Sequence, residues 1–401
     1  MAAAELDRGA TAASAQEAAV IQGGKTGFLI KSAGGDYQLR VGGYMHLDGR
    51  FYASHPAAGT VDTFVLRRVR PVLEGTVARY VNFRLIPDFG EGKTVLQDAY
   101  VELRYFPKAN LRAGKFKTPF GLERLQSATD IVFVERGLPT ALVPNRDLGV
   151  QLSGDLAKGR LNYAAGVFNG TPDGGSVDAD SNIGKDVVLR LFATPFQTAA
   201  IGHPLKGLGF GVAASIGSQR GALPSFKTAG QATFYSYAAG SAAAGNRTRV
   251  SPQAQFYRGP LGLFAEYVQS NQRIVRGASA ATVNSSAWQV AGSYLLTGET
   301  KAKGLTPLQA LDPGRGGWGA WEIAGRFSQL SIDPIVYARA LADPATAARR
   351  AHAWGVGMNW YLNGNLKTAL NYERTSFDGG AAAGGRRPRE NSILSRIQVG
   401  F

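Results

Sequence analysis

Ile393-Leu394-Ser395-Arg396-Ile397-Gln398-Val399-Gly400-Phe401 alternates almost strictly, with Ile393, Ile397, Val399 and Phe401 on one face and Arg396, Gln398 and Gly400 on the other. Leu394 is the one large apolar side chain on the polar face. A soluble domain gains little from an apolar strand at its end, where an unpaired edge invites aggregation. A barrel in lipid gains closure, because no backbone group can stay unpaired in the hydrocarbon. The expectation is therefore an outer-membrane β-barrel that closes on this strand.

Period two recurs throughout the chain. Gln38, Arg40, Tyr44, His46, Asp48 and Arg50 alternate with Leu39, Val41, Met45 and Leu47. Val81, Phe83 and Leu85 oppose Asn82 and Arg84, and Val101, Leu103 and Tyr105 oppose Tyr100, Glu102 and Arg104. A strand between water and lipid requires this pattern. About sixteen such segments of roughly ten residues appear. They start near Tyr37, Val61, Tyr80, Leu96, Asn110, Asp147, Gly159, Lys185, Gly207, Thr248, Leu261, Ser285, Gly317, Ala351, Leu366 and Asn391. Leu208–Gly217 has few polar residues and reads as the weakest of them. An even number near sixteen encloses a water-filled channel. The fold expected is all-β: a sixteen-stranded antiparallel transmembrane barrel with an inward-folded constriction loop.

Composition agrees with such a barrel but does not demand it. The mean hydropathy of −0.11 is that of a water-soluble protein, and no apolar run is long enough for a membrane-spanning helix. Lipid-facing and lumenal residues average out in a barrel, so periodicity has to decide. The chain has no Cys, which excludes disulfides and thiolate metal sites and fits an exported protein. It carries 44 Lys+Arg against 29 Asp+Glu, a formal +15. Scattered along strands and without a nucleic-acid motif, that excess points to a lumen that attracts anions rather than to nucleic acid.

The spacers divide into two kinds. Short turns such as Pro107-Lys108-Ala109-Asn110 and Asn363-Gly364-Asn365 suit a periplasmic rim. The Gly/Ala/Ser-rich stretches 170–184, 218–247, 272–284, 298–316, 332–350 and 378–390 suit extracellular loops. The stretch 118–146 is different, since Phe120, Leu122, Leu125, Ile131, Val132, Phe133, Leu138, Leu142 and Val143 make it too apolar for a solvated loop. It either folds into the lumen as a constriction loop, or covers the barrel mouth or a neighbouring subunit. Residues 1–26 lack the basic start and apolar core of a signal peptide, and read as a periplasmic extension, flexible or a short helix. The barrel domain is then 27–401.

Enzyme signatures fail. Gly92-Lys93-Thr94 resembles the end of a phosphate-binding loop, but Pro87 stands where its first glycine belongs. There is no Gly-x-Ser-x-Gly elbow, and the four histidines (His46, His55, His203, His352) are dispersed, so neither a catalytic nor a metal site is expected. His46 and Asp48 share one face, as a polar lumen supplies by chance.

Phe64-Val65-Leu66-Arg67-Arg68-Val69-Arg70-Pro71, then Leu96-Gln97-Asp98-Ala99-Tyr100, then Ala113-Gly114-Lys115-Phe116-Lys117-Thr118-Pro119-Phe120-Gly121-Leu122-Glu123-Arg124 resemble the phosphate-selective porin O/P family. The resemblance continues through Leu296-Thr297-Gly298-Glu299, Gly319-Ala320-Trp321-Glu322 and Asn359-Trp360-Tyr361, and covers about 27–401. It implies a homotrimeric sixteen-stranded barrel of the bacterial outer membrane, without cofactor. As partners it implies small anions (phosphate, pyrophosphate or other anionic solutes), outer-membrane lipid and lipopolysaccharide. Arg67 and Arg68 match two pore arginines, Arg124 matches a constriction lysine, Lys115 opens the turn into the constriction loop, and Lys117 occupies a position that tunes phosphate against larger anions. Tyr44 departs from the phosphate-specific members, which carry arginine there. Their mid-chain arginine run is here Leu223-Pro224-Ser225-Phe226-Lys227-Thr228-Ala229-Gly230.

An anion in a narrow lumen exchanges part of its hydration for fixed cations, with arginine offering a planar fork and lysine a mobile point charge. The pore-lining candidates are Arg67, Arg68, Arg70, Lys115, Lys117, Arg124 and Lys227. Alternation puts Arg68 and Arg70 in the lumen with Glu74 and Thr76, and sends Arg67 outward unless it lies at the rim or in a bulge. For each cation the alternative is a solvated rim charge or a lipid-headgroup contact. The channel expected prefers anions, with a general or sugar-selective porin as the alternative.

Overall fold

The computed structural model describes residues 19–53, 60–176, 178–180, 184–200, 202–302 and 304–401. The barrel begins with β1 (Gln38–Tyr52), β2 (Thr63–Val77), β3 (Val81–Asp88) and β4 (Val95–Phe106). It continues with β5 (Ala109–Lys117), β6 (Arg146–Leu156), β7 (Leu161–Phe168) and β8 (Asp186–Ala193). Next come β9 (Leu208–Gly221), β10 (Ala242–Arg258), β11 (Leu261–Arg276) and β12 (Ser279–Leu295). The wall ends with β13 (Ala320–Ser331), β14 (Ala348–Tyr361), β15 (Leu366–Gly379) and β16 (Glu390–Gly400). Each strand pairs antiparallel with the next, and β16 returns to β1 from Ser392↔Tyr52 to Gly400↔Tyr44. The closed barrel of sixteen strands is complete.

Alternation explains the wall. On β15, Lys367, Asn371, Glu373 and Thr375 are buried in the lumen, while Leu370 is exposed to the outside. On the closing strand, Arg396 binds Asp48 of β1 through both its Nε and Nη2, at 2.7 and 2.6 Å, and Ile393 and Ile397 face outward. β9, the weakest segment in sequence, is a strand of 14 residues. Its alternation is one of size as much as polarity: Ala213 and Ser215 are buried inside, with Phe210, Val212 and Ile216 exposed. No helix is long and apolar enough to cross a membrane among the described residues, which says nothing against a barrel.

Val20–Gly24 forms a strand paired with Gly27–Lys31, and Phe28–Lys31 pairs in turn with Val41–Gln38 of β1. This corrects the flexible or helical expectation for that part of residues 1–26. β16 pairs with β1 only as far as Tyr44, which leaves one edge of the start of β1 open, and the hairpin fills that edge. Residues 1–18 lie outside the described residues.

Two loop expectations change, and two further loops pack inward. The segment 272–284 is mostly strand, because β11 and β12 stay paired to Arg276↔Ser279, around Ile274 and Val283, which are buried. Its polar residues alternate with apolar ones and so belong to the wall. The segment 298–316 lies on the short-turn rim, since Leu295 and Lys301 donate backbone N–H groups to Pro260 and Gly259 carbonyls of the β10–β11 turn. The connections after β9 and β13 are not solvated: Phe234, Tyr235, Val336 and Leu341 have no exposed surface and join an apolar cluster with Val268, Ile274 and Leu330 of the wall. That cluster fills one side of the long-loop half of the lumen.

Candidate functional site

The connection between β5 and β6 folds into the barrel. Its apolar side chains leave water, with Phe120 and Leu142 fully buried, and its backbone polar groups then need partners inside the barrel. Five strands provide them, and Gln289 of a sixth binds the loop's Glu123 carboxylate. Glu266 accepts from Leu122 N at 2.7 Å, and Gln289 Nε2 donates to Glu123 at 2.9 Å. Arg326 Nη1 donates to Glu135 O at 2.9 Å, and Asn359 Nδ2 to Val132 O at 3.0 Å. Asn371 Oδ1 accepts from Val134 N at 2.6 Å, and Gln398 Nε2 donates to Thr129 O at 3.2 Å. Leu394, the apolar exception on the closing strand, packs with Val134 of this loop. Gly121 is required by its φ of 76° and by Val143, whose Cγ1 would stand 2.7 Å from an added Cβ.

Between the loop and β2–β4 is a cavity of about 480 Å³. Nine basic and four acidic side chains line it. Six of the seven residues expected from sequence are among them: Arg67, Arg68, Arg70, Lys117, Arg124 and Lys227. Lys115 is not; it is buried in an ion pair with Asp178.

Arg67 is inward because β2 bulges at it. His46 of β1 pairs with Arg68, while Leu47 pairs with Leu66, leaving Arg67 as an extra residue. A bulge puts two residues opposite one and breaks alternation, so Arg67 and Arg68 both reach the lumen while Phe64 and Leu66 stay outside. Arg67 Nε donates to Glu135 Oε1 at 2.6 Å. Arg68 lies against His46 Nδ1 at 3.1 Å and 4.0 Å from Glu135. Arg70 binds Asp88 at 2.7 Å and the Tyr44 hydroxyl at 2.9 Å. Burial opposes the charge on Glu135, but Arg67 and Arg68 outweigh it and hold the carboxyl well below the usual carboxylate range.

Deeper along the loop the charges are unbalanced. Lys117 Nζ and Arg136 Nη2 both donate to the Gln126 carbonyl, at 2.7 and 2.8 Å. Arg124 Nη2 donates to Thr140 O at 2.6 Å, while its Nε is buried without a partner. Among the described residues none of these three has a carboxylate within ion-pair distance. Burial, then Arg136 and Arg146, push Arg124 down to about 9, which still leaves it charged at neutral pH. Such a cluster favours any anion that shares the space. Arg136 and Arg146 were not among the sequence candidates. Arg146 Nε binds Asp98 at 2.7 Å, and nothing in its local pattern marks it. Arg136 carried a weak signal, as a charge beside Glu135 in an otherwise apolar loop.

A closed sixteen-stranded barrel with a loop packed inside and a charged cavity beside it defines a class, the outer-membrane porins. The chain matches the family model for phosphate-selective porin O and P over residues 39–401 and belongs to that family, in the bacterial outer membrane. It is 24% identical to Porin O of Pseudomonas aeruginosa over 393 residues, which cover 88% of this chain and 86% of that protein. Among solved structures it resembles the outer-membrane channel DcaP of Acinetobacter baumannii, with a TM-score of 0.60, 12% identity and coverage of 94% of this chain and 100% of that one. It also resembles the anion-selective porin of Comamonas acidovorans, with a TM-score of 0.57, 11% identity and coverage of 91% and 100%.

Proposed function

We propose that this porin is an anion-preferring diffusion channel whose selective step lies at Lys117, Arg124 and Arg136. The observation that carries the reading is that these three half-buried cations line one cavity with no carboxylate at ion-pair distance among the described residues. A permeating anion supplies the missing charge, and hydrogen bonds to the Gln126 and Thr140 carbonyls keep the side chains oriented. Arg67, Arg68 and Lys227 extend the positive field along the same cavity. Lys115 is left out of the path by its bond to Asp178.

Phosphate or polyphosphate is the permeant class the family suggests. Tyr44 supports only moderate affinity for it, since its hydroxyl occupies Arg70 where the phosphate-specific members place a further arginine. Assembly as a homotrimer rests on the family resemblance. The test is a planar bilayer with a potassium chloride gradient. A reversal potential on the chloride side supports the reading, and a cation-preferring or neutral channel overturns it in favour of a general or sugar-selective porin. Phosphate, then pyrophosphate, added to chloride reads the specificity: block well below the chloride concentration means a phosphate site.

A further inference from the structure

The inward loop separates two chambers of different character. Gln126 marks the division, since its carbonyl holds Lys117 and Arg136 of the cationic chamber while its residue also lines a second chamber of about 570 Å³ toward the short-turn rim. This second space has an aromatic and aliphatic side and a polar side that includes the carboxylates of Asp130 and Asp155. Phe192, Phe264 and Leu122 pack together there, and Leu125 adds to the same lining.

One cation in that chamber has no acidic partner among the described residues. Arg190 donates from Nε and Nη2 to the neutral Gln253 Oε1, at 3.2 and 3.1 Å, and its guanidinium carbon is 4.6 Å from the centre of the Phe192 ring. Lys301, which also lines the chamber, is neutralised by Glu322. A fixed, stacked guanidinium beside two phenyl rings offers a planar anion two things at once. The carboxylate takes the free edge of the fork, and a ring attached to it displaces water from Leu125 and from the small exposed edges of Phe192 and Phe264. Inorganic phosphate can use only the first. A volume of this size is ordinary for a small organic ligand.

The geometry points to a binding site for aromatic monocarboxylates in this chamber, with Arg190 as anion fork and Phe192 and Phe264 as ring platform. The inference rests on the anion-preferring reading above, and deepens it from charge to the shape of the solute.

The probes are benzoate and acetate, equal in charge and differing in the ring, added to the full-length channel in chloride on the short-turn side of a planar bilayer. Benzoate is expected to halve the chloride current at a concentration about ten-fold below that of acetate. In F192A the two concentrations converge, and in F192L, which keeps apolar bulk if the alanine variant folds poorly, the gap narrows. R190Q weakens block by both anions. Equal block by benzoate and acetate in the unmodified channel, or an unchanged ratio in F192A and F192L, overturns the aromatic site. The reversal potential is measured first on the same channels, so a cation-preferring result overturns the reading beneath, while equal block in an anion-preferring channel overturns this inference alone.

Discussion

Arg67 Nε stands 2.6 Å from Glu135 Oε1, tying the bulged residue of β2 to the inward loop. The pair holds the loop at the β2 side of the barrel, which continues round the wall through β1 from its anchors on β11 to β16. Arg67 is half-buried, and Arg50 and Arg68 also lie within 4.0 Å of Glu135, so losing the pair costs about 1–3 kcal/mol. R67Q and E135Q are each expected to loosen the loop, giving noisier single-channel currents of higher mean conductance. The double variant is expected to do little more than either alone. Fully additive effects in that cycle would mean the two residues act separately.

Removing charge at the deeper cluster acts on selectivity instead. K117Q, R124Q and R136Q each take away one cation at close range to a permeating anion. At an effective dielectric between those of water and the protein surface this is about 1 kcal/mol, roughly a five-fold change. The chloride-over-potassium permeability ratio from reversal potentials is expected to fall by about that factor for each. K115Q, whose parent lysine is paired with Asp178, is expected to leave the ratio nearly unchanged.

The pH dependence follows from Glu135. Its folded pKa lies below the unfolded value, so its contribution to holding the loop is fully present above the ordinary carboxylate range and is lost as pH falls through the depressed folded value. Mean conductance and current noise are therefore expected to stay flat from neutral pH down through the usual range for glutamate, about 4.3. They rise only below it, and E135Q removes that rise. A change already at pH 6 that E135Q abolishes would contradict the assignment.

The two faces of β16 give a stability test. Ile397 faces outward and pairs with Leu47 and Thr368 in the ladder. I397R is expected to lower barrel stability in lipid vesicles by about 2–4 kcal/mol if the position lies near the bilayer midplane. R396Q disturbs the lumen by leaving Asp48 without its two hydrogen bonds, and is read as a conductance change as well. Denaturant unfolding in vesicles measures the first, and bilayer recording the second.

The strands were legible because the cause of their pattern is local. Water on one face and lipid on the other imprint alternation within each segment, and every expected start falls on or near an observed strand, even where β9 substitutes size for polarity. What alternation cannot carry is information about neighbours. The bulge at Arg67 exists only in the pairing of β1 with β2. The rim on which 298–316 lies follows from strand parity, which a single misread connection obscures. The apolar run 118–146 announced a packed loop, but its partners Asn359, Asn371 and Gln398 are ordinary lumenal polar residues until the barrel closes. Arg146 was hidden for the same reason, as one more charge at the start of a strand.

The extra residue at Arg67 shows that chain length within a strand is itself a determinant of what a pore wall presents. Without the bulge to absorb that extra residue, the side chains on the Thr63 side would exchange faces, turning phenylalanine and leucine toward water without any change of amino-acid type. Relatives compared by identity alone could therefore match at these letters and differ in wall charge, or differ in letters and share it. Single-residue insertions and deletions in strands are the changes by which such channels can be retuned most abruptly.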